Sequence, residues 1–365
     1  IRREKKKMIK NVEIENFRCF GKSKFSGFSR INLIGGKNNA GKTAFLEALY
    51  LNNSPQELSV MHIRGIDEAR IKSLAAKAWN NLFLDKDKKA MIAMQFVNEE
   101  HKTSLLEISM PQSKRDVIQI IQKLELSKHF FKKGSDLSLL QFNYQVDNEF
   151  RETLSLIAHS DGFTIYEPNI PSHLTFTKIA FCPSDDKLSS KHLAEQYDLA
   201  YINHHSDKLL KVFQIIDPSI EDVRTLNIGE PSIYLQRKNE EHMPLSLFGD
   251  SLNRATDFLM KLVNNQNGIL LIDEIENGFH HTSLRELWRL LFDLTAEFNV
   301  QIFATTHSLE MLQAFTAVSS QIEDGEAGYY FEFARHIKTS QIIGIKYEMD
   351  VLEYGLKRQK GVRGE

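Results

Sequence analysis

The 365-residue sequence predicts an α/β fold with a mixed or parallel core sheet, a strand-rich lobe and a helical insertion. Two patterns predict it. The run INLIGG, residues 31–36, is a short apolar strand that ends on glycines and runs into a helix-like segment from Lys42. The last third then alternates apolar strands with amphipathic helices in the order GILLIDE, SLRELWRLLFDLTAEF, VQIFATTHS and LEML. That is the rhythm of parallel strands joined by helical crossovers.

The other elements follow in order. Residues 8–15 alternate apolar and polar as an edge strand does. Beyond Pro55, IDEARIKSLAAKAWNNLF has helical periodicity, and AMIAMQFV and SLLEISM read as extended. Residues 111–171 are less regular, with a loop at Lys132, Lys133, Gly134 and Ser135. FTKIAFCPS returns to a buried strand, and LAEQYDLAYINHHSDKLLKVFQIID forms two helices parted near His204 and His205. That histidine pair has no carboxylate or thiol at ligand spacing and is read as surface polarity, not a metal site. IEDVRTLNI and PSIYLQRK are short strands, PLSLFGDS is a turn, and LNRATDFLMKLV is a helix. The expectation is one discontinuous domain: a core of 8–55 and 221–348, a strand-rich lobe with a variable insertion over 56–175, and a helical lobe over 184–217.

Composition narrows the function classes. The 46 basic and 48 acidic residues leave a net charge of -2, so no whole-molecule field draws the chain to nucleic acid or membrane. Cys19 and Cys182 lie far apart without CxxC spacing, which points to a reducing, cytoplasmic compartment. The basic start IRREKKKMIK leads into NVEIENF instead of an apolar signal core, and no apolar run is long enough to span a membrane.

GKNNAGKT matches G-x-x-x-x-G-K-[ST], with Gly36, Gly41, Lys42 and Thr43 in the fixed places and Lys37, Asn38, Asn39 and Ala40 between them. Glycines let the backbone curl so that successive N–H groups face phosphate oxygens, and the helix behind adds its positive end. In this pattern Lys42 reaches the β- and γ-phosphates of ATP, and the Thr43 hydroxyl takes one Mg²⁺ position.

Ile269 to Ile272 form a buried strand that delivers Asp273 and Glu274 to its carboxyl end, where ligands bind in open α/β sheets. Asp273 suits the metal, and Glu274 suits orienting and deprotonating the attacking water. VQIFATTHS repeats the construction and ends at Thr305, Thr306, His307 and Ser308, which makes His307 a candidate for the γ-phosphate or the water.

Roughly two hundred residues separate Thr43 from Asp273, and no N-K-x-D motif is present, so the ABC-type arrangement fits better than a small GTPase or a ring-forming AAA+ protein. That arrangement needs an opposing subunit. PLSLFGDSLNRATDFLM has the required polar, Gly-containing turn at a helix start, so Ser246, Gly249, Asp250 and Ser251 are expected to face the nucleotide of a neighbour, although the segment departs from LSGGQ.

VEIENFRCF, INLIGGKNNAGKTAFLEALYL, LLIDEIENGFHH, QIFATTHSLEML and the closing YEMDVLEYGLKRQKGVRGE, in this order, resemble the small ABC-type ATPases of the overcoming-lysogenization-defect and SMC/RecF families, often classed as AAA-15. The resemblance implies a Mg²⁺-dependent ATPase that forms a homodimer or higher homo-oligomer through its heads. Such ATPases commonly serve bacterial anti-phage defence, as in Gabija, Septu and PARIS. Nuclease-bearing members carry a Toprim domain after the ATPase, whereas about fifty-seven residues follow Ser308 here. A separately encoded nuclease or toxin is therefore the expected effector. The alternative is a RecF/SMC-like ATPase that binds DNA in repair, without the long heptad arms of SMC and Rad50 proteins.

Overall fold

The computed structural model describes residues 8–53, 63, 66, 68–123, 137–147, 149–166, 177–184, 189–322 and 328–357. A hairpin of β1 (Ile9–Phe17) and β2 (Phe20–Ser26) leads to β3 (Ile31–Gly36) and the helix α1 (Lys42–Asn53). The short α2 (Glu68–Ser73) precedes β4 (Ile92–Asn98) and β5 (Thr103–Ser109). Next come α3 (Lys114–Lys123), β6 (Ser138–Val146), β7 (Glu149–His159) and β8 (Gly162–Tyr166). After β9 (Ile179–Cys182) come α4 (Ser190–Ile202) and α5 (Ser206–Ile216), then a ribbon of β10 (Ile220–Ile228), β11 (Glu230–Arg237) and β12 (Met243–Pro244). The last third is α6 (Asp250–Asn264), β13 (Ile269–Ile272), α7 (Leu284–Phe298), β14 (Gln301–Thr305), α8 (Leu309–Ser319), β15 (Tyr329–Arg335), β16 (Ile342–Tyr347) and α9 (Met349–Lys357).

The core sheet runs β16-β15-β3-β14-β13-β9, parallel throughout except at the antiparallel edge strand β16. Its central strands are buried on both faces, which is why they read as unbroken apolar runs. Ile31, Leu33, Leu270, Ile272, Ile302 and Ala304 pack with α4, α6, α7 and α8. Ile34, Ile269, Leu271 and Phe303 pack on the opposite side with α1 and the strands of the second sheet. Because β14 lies between β3 and β13, the loops after all three open at one edge of the sheet.

The second sheet is antiparallel, in the order β2-β1-β4-β5-β6-β7-β8, and α1 is sandwiched between it and the core. The fully buried Phe45 of α1 holds this sandwich: its ring lies 4.9 Å from Phe25, 5.2 Å from Phe333, 5.7 Å from Phe28 and 6.2 Å from Phe303. The buried amide of Gln301 adds a polar stitch, accepting the Ile9 N–H at 2.8 Å and donating to the carbonyls of Ile9 and Ser29 at 2.8 Å each. It sets the start of β14 against β1.

Two expectations are corrected. The edge strand expected over 8–15 is interior, since β1 pairs with both β2 and β4. Alternation reports which faces are buried, not which neighbours are present. The helical pattern beyond Pro55 is not one helix: α2 ends at Ser73, and short 3₁₀ turns follow at Ala75–Lys77 and Asn80–Leu82. Ala75, Ala78, Trp79 and Leu82 keep a helix-like burial spacing, but the Ser138 hydroxyl takes the Ala75 carbonyl at 2.5 Å, a bond from β6 that competes with helical pairing. Beyond Pro111, α3 and strands β6 to β8 form the irregular stretch, and the loop expected at Lys132 to Ser135 lies outside the described residues.

Truncating the ring at the centre of the sandwich, Phe45→Ala, should cost about 3–5 kcal/mol of stability. A urea midpoint within about 1 kcal/mol of wild type would show that the two sheets do not depend on α1 for their packing.

Candidate functional site

The loop between β3 and α1 curls through three residues with positive φ: Gly36 at 128°, Asn39 at 62° and Gly41 at 86°. Position 36 admits only glycine, because a Cβ there would lie 2.2 Å from the Phe333 carbonyl oxygen. The loop leads directly into the first turn of α1, a Gly-rich turn at a helix start, which is the arrangement that binds anions. Lys42, 5% exposed, folds its amine back onto the loop and donates to the carbonyls of Gly36 at 2.8 Å and Lys37 at 2.9 Å.

The Asp273 carboxylate, on a residue 1% exposed, sits just past the end of β13 and draws that strand, β14 and the start of α1 together. Thr43 donates to its two oxygens at 3.1 and 3.0 Å, and Thr305 at the end of β14 donates to one of them at 2.6 Å. A carboxylate and a hydroxyl beside a phosphate loop are an oxygen-only donor set, which suits Mg²⁺. The residues present fit that ion.

Glu274 has φ 53°, left-handed for a side-chain-bearing residue, and is held there by several contacts. Its N–H donates to Thr305 Oγ1 at 2.8 Å, and its Oε2 accepts from the Asn277 amide at 2.8 Å. Glu276 accepts the His307 N–H at 2.6 Å, and its other oxygen is buried with no hydrogen-bond partner among the described residues. Lys42, Thr43, Glu274 and the exposed His307 line one cleft of about 1010 Å³, together with Arg18 and Asn38. Arg18, in the β1–β2 turn, is paired with the buried Glu47 of α1 at 2.8 and 3.0 Å. Burial pushes the Lys42 amine from 10.5 down to about 8, a shift opposed by Asp273, Glu276 and Glu274.

The structure therefore gathers Gly36 to Thr43, Asp273, Glu274 and His307 at one edge of the sheet. It does not bring Ser246, Gly249 or Asp250 to that cleft. Ser246 and Gly249 are exposed and do not line that cleft; they lie in a 3₁₀ turn and at its end, with Gly249 at φ 88° and Asp250 opening α6. Sequence reasoning passed over Glu276 and Asn277, whose signal was the polar run DEIEN directly after an apolar strand, and gave Thr305 no role beyond ending its strand. It also passed over Arg254, which has no sequence signal, being a single arginine on an amphipathic helix. Its guanidinium donates to the carbonyls of Pro183 at 3.0 Å, Ser184 at 3.2 Å, Asp273, and Glu274 at 3.5 Å.

Residues 31–312 match the model of the family described as "AAA domain, putative AbiEii toxin, Type IV TA system". The chain belongs to this AAA family. As such it is an ATPase of the AAA type. It is 26% identical over 329 residues to an "ATP/GTP phosphatase" of Helicobacter pylori, covering 85% of this chain and 88% of that protein. A shorter stretch of 95 residues is 33% identical to an uncharacterized protein, MJECL10, of Methanocaldococcus jannaschii, covering 26% of this chain and 43% of that one. Among solved structures, an SMC head bound to the C-terminal winged-helix domain of ScpA aligns with a TM-score of 0.51 at 11% identity, covering 94% of this chain and 98% of that one. This last likeness concerns the fold, which is that of an SMC-type head. No helix among the described residues is long and apolar enough to cross a membrane.

The lowered Lys42 value has a pH consequence. Without nucleotide the folded chain binds fewer protons than the unfolded one between about pH 8 and 10.5, so this group makes the nucleotide-free protein more stable as pH rises through that window. A triphosphate favours the charged amine, so binding above pH 8 takes up a proton, and affinity should fall by up to about tenfold per unit there. Calorimetry in buffers of different ionisation enthalpy measures that proton. A pH-independent affinity with no proton uptake between pH 7 and 9.5 would show that the Lys42 amine is already charged in the nucleotide-free chain.

Proposed function

We propose that this AAA-family ATPase binds and hydrolyses ATP at the cleft of Lys42, Thr43, Asp273 and Glu274, and uses ATP-dependent association of its heads as a switch. The observation that carries the reading is the shared carboxylate of Asp273, hydrogen-bonded to Thr43 in the first turn of α1 and to Thr305 at the end of β14. It sets a metal-binding pair of oxygens beside the phosphate loop, with Glu274 next in the chain.

In this reading the loop residues Gly36, Lys37, Asn38, Asn39, Ala40 and Gly41 cradle the phosphates with their N–H groups, and Lys42 binds the β/γ end. Thr43 and Asp273 would hold Mg²⁺, which supplies charge neutralisation at the phosphate oxygens. Glu274, oriented by Asn277 and Thr305, accepts the proton of the attacking water. His307, its backbone fixed by Glu276, presents its exposed imidazole to the same cleft and marks the γ-phosphate position.

Ser246, Gly249 and Asp250 do not line their own cleft, which suits a turn that completes the site of a second copy. The chain is thus a homodimer or higher homo-oligomer in its working state. The family's toxin and toxin–antitoxin description supports a place in bacterial anti-phage defence, in the manner of overcoming-lysogenization-defect ATPases. There it acts as a sensor or regulatory subunit with a separately encoded nuclease or toxin.

Glu274→Gln should bind ATP and retain it, because the amide keeps the size but cannot accept the proton. Wild-type turnover in that variant would remove Glu274 as the base. Lys42→Ala and Ser246→Trp should each be inactive alone, yet regain part of the activity when mixed. A mixed dimer holds one site with both an intact loop and an intact opposing turn. A rate per subunit that is independent of protein concentration, with no rescue on mixing, would show that each chain hydrolyses alone. DNA-stimulated hydrolysis with steep salt dependence, and no effector co-purifying, would move the assignment to a repair ATPase.

A further inference from the structure

Arg254 lies one turn into α6, about 6 Å along the helix from Asp250. The acceptors of its four hydrogen bonds are all main-chain carbonyls: Pro183 and Ser184 after β9, and Asp273 and Glu274 after β13. A guanidinium is a rigid planar fork, so one side chain can pin two loops in a fixed relation to one helix, which a lysine amine cannot do. The same α6 begins at the exposed Gly249 turn, which is not part of the lining of the chain's own cleft. One helix therefore has its start at a site for a neighbour and its second turn on the loop that carries the chain's own base.

The state of Glu274 makes this grip matter. At φ 53° its backbone is not held by its own preference, and its setting depends on neighbours. Thr305 takes its N–H, and Asn277, three residues on, takes its carboxylate. Arg254 takes the carbonyls of Asp273 and Glu274. Of these three, only Arg254 belongs to the helix that starts at the exposed Gly249 turn.

We propose that Arg254 couples the two nucleotide sites of the dimer: through its hold on the Asp273 and Glu274 carbonyls, the setting of a chain's own base follows the seating of α6 on the nucleotide held by the other chain. This rests on the dimeric reading above and names the residue through which the two sites communicate. Arg254 touches no substrate atom. It is a positioning residue, and its effect belongs in turnover and cooperativity, not in nucleotide affinity.

The test uses the full chain with Mg-ATP. Arg254→Lys should bind ATP within about twofold of wild type by calorimetry, since the loop and Lys42 are untouched, while turnover falls by about tenfold or more. Its Hill coefficient should drop from near 2 toward 1. A matched urea midpoint excludes a folding defect. A mixing arm needs no substitution at Arg254. At concentrations that saturate association, an excess of Lys42→Ala subunits surrounds each wild-type subunit with a partner that has an intact turn and an empty loop. Each complete site should then turn over more slowly than in the wild-type dimer. The same excess added to Arg254→Lys subunits should change the rate per complete site by less than about twofold. If complete sites run at the wild-type rate beside empty ones, or Arg254→Lys keeps wild-type cooperativity, the coupling role falls and the dimer reading stands. If the wild-type rate is independent of protein concentration, the dimer reading falls and the coupling with it.

Discussion

The Asp273 carboxylate is the constraint on which the rest of the site depends. It is almost fully buried at the end of β13, and an uncompensated charge there would cost several kcal/mol. Hydroxyls from Thr43 and Thr305 compensate it. One donor arrives at the start of α1 and the other at the end of β14, so satisfying one buried charge fixes the relative positions of the phosphate loop, the acid pair and the histidine loop. Thr305 Oγ1 has a second duty, accepting the Glu274 N–H, and that bond helps hold the next residue in its left-handed conformation.

The fold supplies the rigidity this arrangement needs. Each central strand of the core sheet is buried on both faces, with helices on one side and α1 on the other. The first turn of α1 ends the phosphate loop, and its buried Phe45 sits in the aromatic cluster between the sheets. The bidentate pair of Arg18 with Glu47 ties the β1–β2 turn to the same helix. The loop is thus anchored from both sheets. The polar residues beyond Glu274 extend the order outward: Asn277 to the carboxylate, Glu276 to the backbone of His307.

The parts of the site that were legible in the sequence are those written in consecutive residues. Gly36 to Thr43 has a spacing that only a phosphate loop requires, and its strand and helix flank it in the chain. Asp273, Glu274 and His307 were legible because each follows an unbroken apolar strand. The strand β1 and the segment beyond Pro55 were misread for one reason: local periodicity records which faces are buried, while pairing with β4 and the bond from Ser138 to Ala75 come from residues distant in sequence. Arg254 could not be found at all, because its partners are main-chain carbonyls, and any residue type has one.

By itself the sequence placed a phosphate-loop motif, an acid pair and a histidine each at the end of an apolar strand, and with them the broad class of ATPase, though not the particular family. It could do so because backbone curl, strand burial and helix start are set by residues near in the chain. Only the tertiary structure decided how those ends meet. The order β3-β14-β13 places Thr305 between Thr43 and Asp273, and the packing of α6 across β9 and β13 lays one arginine over two loops. Both depend on pairing and packing between segments separated by tens to hundreds of residues, where hydrogen-bond geometry and close packing, not local preference, select the arrangement.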